Sequence, residues 1–228
     1  MKQLALDIGL VPEPTLDAYL PGANAAAVQH LRVWAGGALR SPVPTYLWGG
    51  GGSGKTHLLR AARAALAAQG LAVGWLDAAS PARWPFSHAW DAVLMDDVQL
   101  FSAEQQHTAF NWFVNAVSPL SGPPRAVLAA GALPPADLPL RDDLRTRLGW
   151  GHVFELQALP ERDVRAVLRR AADARGVFLS DDVMDFVLGR FSRDLASLME
   201  LLEQLDRYAL QTQRAITIPL VKSMLENE

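Results

Sequence analysis

Cysteine is absent from the 228 residues. That absence removes disulfides, thiol nucleophiles, Cys-ligated zinc and iron–sulfur clusters from consideration. Long hydrophobic runs are missing as well: the stretch from Ala126 to Ala136 is broken by Gly131, Pro134 and Pro135, well short of the roughly 18–20 apolar residues that span a bilayer. The amino terminus, MKQLALDIGL, carries Asp7 and has no small-residue cleavage site, so a cytoplasmic protein without a membrane partner is expected. Neither charge is in excess, with Lys+Arg 21 against Asp+Glu 24 and a net charge of -3, which argues against broad nucleic-acid binding. Lysine is scarce, at positions 2, 55 and 222 only. The five histidines lack metal-ligand spacing, and the seven tryptophans fall in different predicted elements rather than in one stacking stripe.

What remains describes a globular chain that is half hydrophobic and long enough to bury roughly 70–75% of its unfolded surface without disulfide or structural metal. Periodicity divides it. Thr45–Gly49, Leu71–Asp77, Asp91–Asp96, Arg125–Ala130 and His152–Leu156 read as short buried strands. His57–Gln69 and Ser102–Ser118 read as helices between them, the second opened by an N-capping Ser. Strands alternating with helices imply a parallel sheet flanked by helices. After Pro160 the pattern is helical throughout, over Glu161–Arg175, Ser180–Arg190, Arg193–Gln211 and Ile218–Glu226, which predicts a second, all-helical subdomain. The expected division is a tail over 1–14, an α/β base over 15–158 and a helical lid over 159–228.

The sharpest chemical pattern is Gly49-Gly50-Gly51-Gly52-Ser53-Gly54-Lys55-Thr56, placed after a strand and before a helix. It fits a phosphate-binding loop completely. Glycines let the backbone turn around phosphate oxygens, N–H groups and the helix start supply partial positive charge, Lys55 reaches the β/γ-phosphates and Thr56 can ligate Mg²⁺. A plain glycine-rich linker is the alternative, and the flanking strand and helix speak against it. A second strand, Ala92-Val93-Leu94-Met95, ends in Asp96-Asp97. Beside a phosphate loop, such acids suit a Walker B element in which Asp96 holds the metal and Asp97 polarises the attacking water.

Gly52 through Leu58, Asp96-Asp97-Val98-Gln99 and Arg147-Leu148-Gly149-Trp150-Gly151 together resemble the AAA+ domain of the bacterial replication initiator DnaA, and more narrowly the short Hda family related to it. The segments Leu205-Asp206-Arg207 and Thr217-Ile218-Pro219-Leu220-Val221-Lys222 share the likeness, which runs through nearly the whole chain. The resemblance implies an AAA+ P-loop fold with a helical lid, ADP or ATP with Mg²⁺ as cofactors, Leu20 and Pro21 beside the adenine, Arg193 as the lid's nucleotide sensor, and Arg147 as an arginine finger acting in a partner subunit. It also implies that Gln3, Leu4, Leu6 and Ile8 form a short motif docking on the sliding clamp, the β subunit of DNA polymerase III. Plain readings stand beside these: Arg147 as a helix-end arginine like Arg141 and Arg145, and the first residues as a frayed terminus.

Two departures bear on chemistry. The strand ending near Ala130 runs on as Gly131-Ala132, so it offers no polar first sensor, and Asp97 stands where many hydrolysing relatives place the longer Glu. Weak intrinsic hydrolysis is expected. The implied function is a negative regulator of replication initiation that, nucleotide-bound and docked on the DNA-loaded clamp, stimulates hydrolysis of DnaA-bound ATP, touching DNA only through the clamp. The alternatives are an independent, self-assembling ATPase of helicase-loader type, or an adaptor that binds DnaA without stimulating it. A homo-oligomer is possible on either reading. With no helix-turn-helix segment after the lid, sequence-specific origin binding is not expected.

Overall fold

The computed structural model describes residues 14–37, 41–191 and 195–226. The chain divides into two compact units between residues 158 and 159.

In the first unit five strands form one parallel sheet: β1 (Thr45–Trp48), β2 (Val73–Leu76), β3 (Ala92–Met95), β4 (Ala126–Gly131) and β5 (His152–Glu155), in the order β2-β3-β4-β1-β5. Parallel strands need crossovers: α2 (Lys55–Ala67) joins β1 to β2, α3 (Ala103–Val117) joins β3 to β4 and α4 (Asp142–Leu148) joins β4 to β5, while β2 and β3 are joined by residues 77–91 without a helix and α1 (Ala25–Gly36) precedes β1. Period-two alternation sends neighbouring strand residues to opposite faces. Leu47, Leu94 and Leu128 pack with Val28 and Leu31 of α1 and Leu58, Leu59 and Leu66 of α2. Tyr46, Val93, Met95 and Val127 pack on the other face with Trp112 and Phe113 of α3 and Leu144 and Leu148 of α4. Both faces are therefore covered, as a parallel sheet requires.

The expected parallel sheet is present, with strand ends that differ by a residue or two from those read in the sequence. The reason is visible at β2. Ala72, read as strand, gives its N–H to the Asp91 carboxylate at 2.8 Å instead of to a ladder. Ser102 caps α3 with a reciprocal box, its Oγ accepting from the Gln105 N–H at 3.3 Å while Gln105 Oε1 accepts from the Ser102 N–H at 3.0 Å.

The second unit contains α5 (Glu161–Ala174), α6 (Asp181–Arg190), α7 (Leu195–Thr212) and α8 (Ile218–Glu226). Its core is built from Val164 and Leu168 of α5, Met184 and Val187 of α6, Leu198, Leu202 and Leu205 of α7, and Val221 and Met224 of α8. Gly176, at φ +70°, ends α5 in the left-handed conformation that glycine adopts at low cost. Among the described residues no helix is long and apolar enough to cross a membrane.

Candidate phosphate-binding site

β1 ends at Trp48, and the next residues turn into α2 at Lys55. Gly49 is fixed at the sheet end: its N–H donates to the Gly131 carbonyl at 3.3 Å. Gly52 and Gly54 take φ values of +72° and +86°, so the loop geometry depends on glycine there. Lys55 turns back over this loop. Its Nζ donates to the Gly49 carbonyl at 2.8 Å, the Gly50 carbonyl at 2.9 Å and Ser53 Oγ at 3.4 Å. Burial lowers the Lys55 pKa, with Asp97 and Asp96 pulling it back up.

Asp96 follows β3 directly and is 4% exposed. It accepts a hydrogen bond from the Thr56 side chain across the intervening strand β4, and another from the Asp97 N–H at 3.0 Å. Burial raises its pKa, the Thr56 hydrogen bond lowers it, and the neighbouring charge of Asp97 adds to the rise. Lys55, Thr56, Asp96 and Asp97, far apart in sequence, thus converge at the carboxyl end of the sheet, where open α/β sheets bind ligands.

The residues fit a phosphate-bearing ligand and a hard divalent cation on three observations. A Cβ built on Gly50 or Gly51 meets nothing within 4 Å, so the loop has open space beside its backbone. Among the described residues the hydrogen-bond acceptors of the loop's lysine are two backbone carbonyls and a hydroxyl, which it can exchange for an anion. The buried Asp96 beside Asp97 is a carboxylate pair whose mutual repulsion a cation relieves, and hard cations take oxygen ligands of this type.

Two details at this site escape sequence reasoning. Asp97 adopts φ 47°, ψ 47°, uncommon for a residue other than glycine, and its carboxylate accepts from Gln99 Nε2 at 3.1 Å. The same amide accepts the Ala132 N–H through Oε1 at 2.9 Å. A polar group therefore does reach the end of β4, delivered from the segment after β3, where β4 itself offers only Gly131 and Ala132. Gly131 leaves room for it, since a Cβ there would lie 2.2 Å from the Tyr46 hydroxyl and 3.1 Å from Gln99 Oε1. In the sequence Gln99 is only the last letter of Asp96-Asp97-Val98-Gln99.

The second missed group lies on the other side of the loop. Tyr19 packs against Gly54, whose added Cβ would come within 2.5 Å of the ring, and against His57, with ring centroids 5.8 Å apart. His57 thus packs between α2 and the segment before α1, its Nε2 lying 3.3 Å from the Thr15 carbonyl. Leu20 and Pro21 follow Tyr19 at half-exposed positions, and the Pro21 carbonyl accepts the Asn24 N–H at 2.7 Å.

Arg147 is the penultimate residue of α4, half-buried at the surface. Its guanidinium lies 4.7 Å from the Phe110 ring centroid and 5.4 Å from that of Trp150, and Nη1 donates to the Asp143 carbonyl at 3.0 Å. Its neighbours are neutralised. Arg141 grips both carboxylate oxygens of Asp143, at 2.6 and 2.7 Å, and Arg145 pairs with Asp142 at 2.6 Å. Among the described residues no carboxylate forms an ion pair with Arg147. Gln3, Leu4, Leu6, Ile8 and Arg193 lie outside the described residues.

Comparison with known proteins bears on this arrangement. Residues 161–225 match the family model described as Hda, lid domain. The fold is similar to that of domain III of the Thermotoga maritima replication initiation protein DnaA, with a TM-score of 0.75 and 21% identity over 95% of this chain and 97% of that one. AMPPCP-bound DnaA from Aquifex aeolicus matches with a TM-score of 0.63 and 22% identity over 87% of this chain and 66% of that one. The Thermotoga maritima RuvB Holliday junction branch migration motor matches at 0.65, with 15% identity over 93% and 71%. The base thus shares the fold of these proteins, and the carboxyl-terminal helices match the family model of the Hda lid domain.

Proposed function

We propose that this chain is a nucleotide-gated negative regulator of replication initiation, acting in the cytoplasm. Its own loop, Gly49–Thr56, holds ADP or ATP through Lys55 and the backbone N–H groups, bordered by Leu20 and Pro21 and read by Arg193 from the lid. Thr56 and Asp96 would hold Mg²⁺, which when bound shields phosphate charge. The amino-terminal residues Gln3, Leu4, Leu6 and Ile8 dock on the sliding clamp, so DNA is met indirectly. A weak tail contact suffices there, because tethering to a second contact raises the effective concentration to about mM.

The decisive step takes place in the partner. Arg147 enters the nucleotide site of ATP-bound DnaA and stabilises charge growing on the γ-phosphoryl oxygens as the bond to the leaving group breaks. The observation that carries this reading is the difference among the three arginines at α4: Arg141, its N-cap, and Arg145 are spent on Asp143 and Asp142, whereas among the described residues Arg147 is held by two aromatic rings and a carbonyl. Those holds are weak enough to release. A cation stacked on a ring at an exposed site gains about 0.5–1 kcal/mol, small beside the roughly 10³–10⁵ in rate that a finger supplies.

The test is hydrolysis of DnaA-bound ATP in the presence of clamp loaded on DNA. The parent protein stimulates it, Arg147→Ala loses most of the stimulation while binding nucleotide normally, and Arg141→Ala retains it. Removal of residues 1–8 abolishes clamp binding and leaves nucleotide affinity intact. An Arg147→Ala protein as stimulating as the parent would overturn the finger assignment in favour of an adaptor.

A further inference from the structure

The segment before α1 makes contacts that its composition does not demand. Tyr19 is 9% exposed and Asn24 4%. The Tyr19 hydroxyl donates to the Ser53 carbonyl at 2.9 Å, inside the glycine-rich loop. Asn24 Nδ2 donates to the Tyr19 oxygen at 2.7 Å and to the Gln157 carbonyl at 2.9 Å, while Asn24 Oδ1 accepts the Gln157 N–H at 2.9 Å. Every hydrogen-bonding atom of the two side-chain amide hydrogens and the carbonyl oxygen is thus used, over a sequence separation of 133 residues. Burial raises the Tyr19 pKa, which keeps the phenol protonated and able to donate.

Two backbone facts turn these contacts into a positioning device. A trans peptide sets its N–H antiparallel to its C=O. Fixing the Ser53 carbonyl on the Tyr19 side therefore turns the Gly54 N–H to the opposite side, away from the ring. Gly54, in turn, cannot drift toward Tyr19 because the ring fills the space that a Cβ would take. At the other end of the relay, Leu156 donates its N–H to the Trp48 carbonyl at 2.6 Å, and a Cβ on Gly49 would lie 2.2 Å from the Leu156 carbonyl. The first glycine of the loop and its Ser53–Gly54 peptide are thus both tied to the strand exit at residues 156–157, one directly and one through Tyr19 and Asn24.

We propose that Tyr19 and Asn24 are positioning residues for nucleotide binding, a phenol–amide relay that holds the Ser53–Gly54 peptide in its phosphate-accepting orientation and locks it to the strand exit at Gln157. The proposal rests on the reading of Gly49–Thr56 as an adenine-nucleotide site. Neither residue contacts the phosphate; each acts through the loop backbone. Loss of the hydroxyl frees the peptide to rotate, and its N–H then has to be re-ordered each time a phosphate binds.

Tyr19→Phe keeps the ring and removes only the donor. Calorimetric titration of the full chain with ADP and with ATP, each with Mg²⁺, should show affinity falling about fivefold, the factor that one hydrogen bond of ordinary strength represents. The nucleotide-free melting temperature should fall by no more than about 2–4 °C, because the ring packing is intact and one ordinary hydrogen bond, about 1 kcal/mol, shifts a chain of this size by that much. Asn24→Asp retains the acceptor for the Gln157 N–H and loses both donors, and should weaken binding by a similar factor. The double variant should be no weaker than the stronger single one if the two act as one relay. Parent and Tyr19→Phe binding equally well would overturn the proposal, as would multiplicative losses in the double variant. A Tyr19→Phe protein that melts far lower without nucleotide would assign the pair to folding instead. If the parent itself binds no nucleotide, the failure belongs to the site reading and not to the relay.

Discussion

Gly54→Ala is the substitution for which the structure sets the cost most directly. Gly54 sits at φ +86°, ψ 18° at the N-cap of α2, and an L-residue placed there meets its own backbone at a cost of about 1–2 kcal/mol. The added methyl would also lie 2.5 Å from Tyr19 Cε2, whereas carbon atoms settle about 3.5–4 Å apart, so the ring must retreat by roughly 1 Å. It has little freedom to do so, because its hydroxyl is held at 2.9 Å to Ser53 and at 2.7 Å to Asn24. Overpacking of this kind costs about 1–3 kcal/mol. Set against a gain of about 0.4–1 kcal/mol from a stiffer unfolded chain, the net loss is about 1–4.5 kcal/mol. Urea unfolding of the nucleotide-free protein, followed by circular dichroism, reads this as a midpoint lowered by about 0.5–2 M. Gly51→Ala is the control: that glycine has no positive φ and its Cβ would meet nothing within 4 Å, so it should unfold within about 0.5 kcal/mol of the parent while binding nucleotide less well. A Gly54→Ala protein as stable as Gly51→Ala would refute the packing of Tyr19 on the loop.

Neutralising Asp96 separates stability from function. Asp96→Asn should raise the nucleotide-free melting temperature by about 2–4 °C, the shift that about 1 kcal/mol produces in a chain of this size, while lowering affinity for Mg²⁺–ATP. Since burial holds the folded Asp96 pKa above its ordinary value, the penalty of the charged form is present at pH 7 and fades as pH falls into the carboxylate range; an advantage that stays constant down to pH 4 would contradict this. The histidines act in the opposite direction. Burial lowers the pKa of His57, against the Thr15 carbonyl contact and with Arg60 adding to the fall, and burial together with His152 lowers that of His30. Both favour the neutral ring in the fold, so stability is complete above pH 6.5 and is lost as pH falls below it; a His30→Gln/His57→Gln variant should show a flatter melting-temperature profile between pH 7 and 5.

What could be read from the letters was whatever depends on neighbours in sequence. The phosphate loop and the acids after β3 are contiguous patterns, and β1, β3 and β4 are uninterrupted apolar runs because both sheet faces are covered. α1 and α4 carry no such pattern. α1 opens on three alanines after Asn24, whose side chain makes no cap hydrogen bond because it is committed to Tyr19 and Gln157, so the usual start signal is used for something else. α4 is seven residues long with only Leu144 and Leu148 buried, too short for a periodic pattern. Gln99, Tyr19 and Asn24 acquire their importance from partners 33, 34 and 133 residues away, a distance over which composition and periodicity carry no information.

The α4 arginines show the same limit in electrostatic form. In the sequence Arg141, Arg145 and Arg147 are three similar letters beside Asp142 and Asp143, and helical spacing allows several pairings. In the structure Arg141, the N-cap of α4, closes a two-pronged grip on Asp143 and Arg145 takes Asp142, so two charges cancel two charges at one short helix. The third cation is left over by stoichiometry, and Phe110 and Trp150, with Trp150 62% exposed, form its resting place. Aromatic faces suit that role. On the proposed finger reading, they hold the guanidinium without neutralising its charge, which stays available to an anion that offers far more than a ring quadrupole can. A carboxylate in the same place would have to be displaced before any phosphate could be reached.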